Sequence, residues 1–200
     1  MGQLAIEHSM FLGQYNSGTA LTIVESNVNM TETVFHSYVI GKYRSDTRFF
    51  RYPMTTVTYS DSVTASVGGA LIVTHSTVVI DKCQFEGNRA NIGGAIFSEC
   101  ESNITISNSE FTSNQATGCV NGLCFGGALF IDGTSSVSIN NSTFQNNTSD
   151  QDGGMVVVFN ATLSVSQSYA YNNTAARYGG TVATFQDGVL TFDAILFSYI

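Results

Sequence analysis

The chain has 200 residues, a formal net charge of −8 and 11% charged residues, against about 25% in an ordinary soluble domain. Val, Ile and Thr number 53, Gly 19, Pro 1 and Trp none, a composition for stacked strands rather than helices. With 43% hydrophobic residues it can build a core, which excludes a disordered chain; the longest apolar run, Met155 to Phe159, is too short to span a bilayer, and the net acidity opposes a phosphate backbone.

From the start of the chain, alternating apolar pairs precede a bulky residue by about five positions. Leu4/Ile6 lead to Phe11 and Val28/Met30 lead to Phe35. Met1-Gly2-Gln3-Leu4 carries no charged or long apolar leader, the pattern of a mature piece or a fragment. Residues 36–67 read as a degenerate turn, in which Gly41 takes the glycine position and Tyr52/Met54 lead to Tyr59. Within it, Lys42, Arg44, Arg48 and Arg51 interleave with Tyr43, Phe49, Phe50 and Tyr52. Arg and aromatic side chains favour interface contacts, so Arg44, Arg48, Phe49, Phe50 and Arg51 are the expected partner-contact patch.

Beyond residue 67 the repeat sharpens. Glycine pairs recur at 68–69, 93–94, 126–127, 153–154 and 179–180, followed 16 or 17 residues later by Phe85, Phe111, Phe144, Ala170 and Phe197. Asn88, Asn114, Asn147 and Asn173 stand three places after the first four. The aromatic positions 11, 35, 59, 85, 111, 144, 170 and 197 predict seven turns with a period near 25 residues. Short alternating strands at that period, with no helical periodicity, predict a parallel β-solenoid whose turns bury their aliphatics against one another. The glycines mark tight bends, and the asparagines supply the left-handed conformation together with a hydrogen-bonded ladder. The 33-residue repeat carries an extra loop at 117–125, expected to protrude. There Cys119 and Cys124 flank Asn121-Gly122, which suits a disulfide-stapled tight turn. Cys83 fits as a buried small residue in register with Ser109 and Ser142, and Cys100 lies at a strand end.

Gly93-Gly94-Ala95-Ile96 followed by Phe111-Thr112-Ser113-Asn114 resembles the repeat of chlamydial polymorphic outer-membrane proteins. It is similar also to repeats of eukaryotic extracellular proteins with pectin-lyase-like domains. The resemblance implies an all-β, right-handed parallel β-helix forming a single domain over 1–200, here as a eukaryotic extracellular relative. It implies little about function, because one fold hosts many sites.

Eight Asn-x-Ser/Thr sequons, more than this Ser and Thr content generates by chance, point to a secreted or cell-surface glycoprotein. Asn29, Asn103, Asn140, Asn141, Asn146, Asn160 and Asn172 are the candidate glycan sites; Asn147 occupies the ladder and is expected to point inward. Stacking by the glycines puts Asp46, Thr74, Glu99 and Asp132 in one column, beside Thr47, His75, Cys100 and Gly133. Glu99 and Asp132 are then the catalytic candidates, as two close carboxyl groups suit glycoside hydrolysis, with Ca²⁺ as the one cofactor they could share. The expected role is structural or adhesive, without catalysis, through self-association or contact with extracellular proteins and glycans, and with end-to-end stacking into fibres. The alternative is a polysaccharide-binding or polysaccharide-cleaving protein.

Overall fold

The computed structural model describes residues 2–12, 19–36, 67–119 and 121–198. Among these there are no helices, and so none long and apolar enough to cross a membrane. Successive turns of the described residues feed up to four parallel sheets in a fixed order. Sheet I holds Leu21–Val24, Leu71–Thr74, Ile96–Glu99, Leu129–Ile131, Val156–Phe159 and Val182–Phe185. Sheet II holds Gly2–Glu7, Ser26–Thr31, Thr77–Asp81, Asn103–Ser107, Ser136–Asn140, Thr162–Ser166 and Val189–Asp193. Sheet III runs from Met10–Leu12 and Val34–His36 through Gln84–Glu86, Glu110–Thr112, Thr143–Gln145 and Tyr169–Tyr171 to Leu196–Ser198. The short sheet IV is built from Arg89–Ala90, Gln115–Ala116, Thr148–Ser149 and Thr174–Ala175. The expected parallel β-helix is therefore present, and alternation places every second side chain inside it.

Inside, like stacks on like. Val78, Ile104, Val137 and Leu163 form one buried column of sheet II, and Ile80, Ile106, Ile139 and Val165 form another. Phe11, Phe35, Phe85, Phe111 and Phe144 stack ring on ring at 4.6–5.0 Å between centroids. Ala170 interrupts that column before Phe197.

The residues flanking 37–66 correct one expectation. Leu21 pairs with Leu71, Val28 with Val78, and Phe35 with Phe85, so these two turns are direct neighbours. No layer lies between them for the degenerate turn expected at 36–67. Among the described residues sheet II accordingly has seven strands, against the eight aromatic positions of the sequence reading. Gly41, Tyr52, Met54 and Tyr59, together with Arg44, Arg48, Phe49, Phe50 and Arg51, lie outside the described residues.

Each corner has its own device. Between sheets IV and I, the first glycine of each pair is left-handed, as at Gly93 (φ 63°), while a Cβ on Gly94 would overlap the carbonyl oxygen of Gly127 in the next turn. Between sheets III and IV runs the asparagine ladder. Asn147 Nδ2 donates to Phe111 O (2.9 Å) and to Asn173 Oδ1 (2.9 Å), while its Oδ1 accepts from the N–H and Nδ2 of Asn114. Contrary to the expectation from sequence, the ladder asparagines are not themselves left-handed. That conformation falls one place earlier, on Gly87, Ser113, Asn146 and Asn172. Two hydroxyl ladders complete the set. Ser76 accepts from Ser26 N, Ser102 from Ser76 N and Ser135 from Ser102 N at one corner; Ser109, Ser142 and Ser168 accept from Cys83 N, Ser109 N and Ser142 N at another.

Replacing Asn147 with alanine leaves the Asn114 N–H and the Phe111 carbonyl buried without these partners. At about 1–3 kcal/mol for each orphaned group, Asn147→Ala is expected to cost about 4 kcal/mol in urea unfolding. Asn103→Ala, at an exposed position, should stay within about 0.5 kcal/mol of the parent.

Candidate functional site

The outer face of sheet I differs from the other outer faces in being largely covered. Its strands carry two outward columns. One comprises Ile72, Phe97, Phe130, Val157 and Ala183, which belong to a second apolar cluster with Ile92 and Leu123. The other comprises Val24, Thr74, Glu99, Asp132, Phe159 and Phe185. Thr74 pairs with Glu99 and Phe159 with Phe185, while the registers of Ser98 with Ile131 and Ile131 with Val158 carry Glu99 beside Asp132 and Asp132 beside Phe159. The expected neighbourhood of Thr74, Glu99 and Asp132 is thus formed. Beneath Thr74 stands Val24, the position assigned from sequence to Asp46, which lies outside the described residues.

Glu99 and Asp132 are half-buried carboxyl groups on adjacent strands, about 4.8 Å apart in backbone spacing. Burial pushes the Glu99 carboxyl up to about 7; a 3.4 Å hydrogen bond from the Thr74 hydroxyl opposes this, and the Asp132 charge adds to it. Burial also raises Asp132, against the Gly133 N–H that donates to its Oδ1 at 2.5 Å. Cys100 follows at the left-handed corner (φ 56°). Burial and then the charges of Glu99, Asp132 and Glu101 push its thiol up, the opposite of what a nucleophilic thiolate needs. With Thr74 Oγ1 these carboxyls offer a cation few of the six to eight oxygens that Ca²⁺ takes.

Farther along the same face, Phe125, Phe130, Val157, Phe159 and Phe185 line a cavity of about 220 Å³. Its polar edge is an ion pair that the sequence did not signal. The Asp152 side chain, 0% exposed, accepts from Arg177 Nε (2.9 Å) and Nη2 (2.5 Å) and from the Tyr178 N–H. Asp152 occupies a bridge column otherwise lined by Val67, Ile92, Phe125 and Tyr178. No pattern of spacing marks it, because the repeat places an apolar residue there in three of the five turns.

The extra loop carries the expected Cys119–Cys124 disulfide. Asn121 (φ 51°) and Gly122 (φ 74°) form the tight turn inside it. The loop does not protrude throughout, since Leu123 and Cys124 are buried and Ser149 Oγ donates to Cys124 O at 2.9 Å. Asp150 lies against the disulfide, its carboxylate held by Thr117 Oγ1 and Gly118 N, but both sulfurs are consumed in the bond. Cys83 is buried and unbridged, as expected, and its thiol is raised chiefly by burial. Of the sequon asparagines, Asn29, Asn103, Asn140, Asn141 and Asn146 are exposed, Asn160 and Asn172 half-buried, and Asn147 fully buried.

The chain belongs to the right-handed β-helix family: the family described as "Right handed beta helix region" matches residues 54–193. No curated protein and no solved structure gives a match. Membership accounts for the parallel stack and leaves the chemistry of the site to its own residues.

The Glu99 shift has a consequence for stability. Its carboxyl holds a proton more tightly folded, at about 7, than at the ordinary 4.5, so the native state binds more protons over that interval. Stability therefore falls as pH rises from about 4.5 to 7. Glu99→Gln should flatten this fall and melt higher than the parent at pH 8, with no such advantage at pH 4, in thermal unfolding followed by circular dichroism.

Proposed function

We propose that the chain is an extracellular β-helix glycoprotein with a structural or adhesive role, working through its polar outer faces and glycans rather than through catalysis. The observation that carries this reading is the distribution of sequons. Asn29, Asn103 and Asn140 stand exposed on the outer face of sheet II, and Asn141 and Asn146 stand exposed at the corners on either side of sheet III. The Cys119–Cys124 disulfide accords with an oxidising compartment. The likeness of Gly93-Gly94-Ala95-Ile96 and Phe111-Thr112-Ser113-Asn114 to surface-protein repeats points the same way. Partners in this reading are further copies or other extracellular proteins and glycans, met partly through Arg44, Arg48, Phe49, Phe50 and Arg51. End-to-end stacking, a heterologous contact that propagates, is the form of assembly the reading carries. Enzymatic N-deglycosylation of natively sourced protein should lower its intact mass, with glycans mapped to the exposed sequons and none to Asn147. An unchanged mass overturns the glycoprotein reading.

One observation favours a second reading, polysaccharide binding or cleavage by a lyase or hydrolase. Glu99 and Asp132 are neighbouring carboxyls in a half-buried site, and Glu99 is held near neutrality. Their strand spacing of ~4.8 Å approaches the roughly 5–5.5 Å between the two carboxyls of retaining glycosidases. Here the protonated member of the pair is the acid and the ionised one the nucleophile or base. Across a polysaccharide panel, cleavage by the parent protein that falls by about 10²-fold or more in Glu99→Gln supports this reading. Absence of cleavage by the parent overturns the catalytic part.

A further inference from the structure

The cavity beyond the carboxyl pair has a shape and chemistry of its own. Its walls are the rings of Phe125, Phe130, Phe159 and Phe185 with Val157 between them. Its polar edge is an ion pair whose charges cancel: both oxygens of buried Asp152 are taken by Arg177, while Arg177 is itself half-exposed. A concave apolar site with a few convergent polar groups is the usual form of a small-ligand site. The aromatic walls suit a ring that offers an apolar C–H face and polar edges, and the exposed side of the guanidinium would donate to its oxygens.

Position and charge narrow the ligand further. Phe159 and Phe185 continue the column of Glu99 and Asp132, so the midpoints of the two pairs lie two strand spacings apart on one face. A ligand occupying both regions passes Asp132, Glu99 and Glu101. Among the described residues that line the cavity, the basic group is Arg177, already committed to Asp152. Among the described residues, an acidic chain laid here would meet these carboxylates with Arg177, already paired to Asp152, as the cation lining the cavity, an arrangement that disfavours binding.

We infer that the Phe159–Phe185 cleft is a ring-stacking subsite for an uncharged sugar, and that the glycan served by this face is neutral rather than acidic. The inference rests on the second reading above for the class of ligand, yet it stands on different residues. Binding, unlike cleavage, does not require Glu99 to act as an acid.

The full chain is titrated by calorimetry with two sets of oligosaccharides. One set contains glucose, mannose, xylose or N-acetylglucosamine units; the other contains galacturonate or mannuronate and guluronate units. At least one neutral set should bind, raise the melting temperature, and exceed the acidic sets by tenfold or more. Phe159→Leu, which keeps apolar volume but removes the ring, should weaken binding about tenfold. Phe185→Leu should do the same and serves if the first variant melts early. Ser138→Ala, exposed on the outer face of sheet II, should bind within about twofold of the parent. Retained binding without cleavage in any form preserves the subsite and removes the catalytic reading alone. Preference for an acidic set, indifference to both phenylalanine substitutions, binding of a phenylalanine-containing peptide in place of sugars, or binding of no glycan overturns the inference.

Discussion

The structure depends on one constraint: the backbone N–H groups of a turn, apart from those the asparagine and serine ladders take, find carbonyls on the adjacent turn, in register. Leu71 pairs with Ile96, Ile96 with Leu129, Leu129 with Val156 and Val156 with Val182, and the same continuity holds around every sheet. Once register is fixed, any residue type repeated at the turn period becomes a column. The phenylalanine, aliphatic, asparagine and serine columns are all expressions of it. Stability is then mostly a sum of contacts between neighbouring layers.

Much of this was legible in the sequence because columns are periodic and period is what a sequence displays. Paired glycines, Asn114 and Asn147 in step, and the spacing of Phe85 to Phe111 sufficed for the fold. Where the repeat is broken, legibility fails. The 50 residues from Phe35 to Phe85 equal two periods in length, and length alone could not show that the turns carrying these two rings stack directly on each other. The left-handed residues were misplaced by one position because asparagine serves both as ladder rung and as left-handed corner residue. Asn146 takes the corner and Asn147 the rung.

The candidate site divides along the same line. Glu99 and Asp132 were brought together correctly, since both fall at the same distance from their glycine pairs. Their burial, and hence their raised affinity for protons, depends on what covers the sheet and has no signature along the chain. Asp152 and Arg177 were invisible for a related reason. Asp152 departs from the repeat in a column whose other members are apolar or aromatic, Arg177 precedes that column's Tyr178, and only the fold shows that the two face each other. Residues that break a periodic pattern cost the stack something, which makes them the places to look for chemistry.

The break in the phenylalanine column at Ala170 has a mechanical meaning. From Phe11 to Phe144 the rings interlock the layers through continuous stacking, whereas at Ala170 a methyl group stands between Phe144 and Phe197. A rod pulled along its axis is therefore not uniform. The layer at Ala170 is the softer joint, and under tension the rod would part there while the stacked stretch from Phe35 to Phe144 stayed intact.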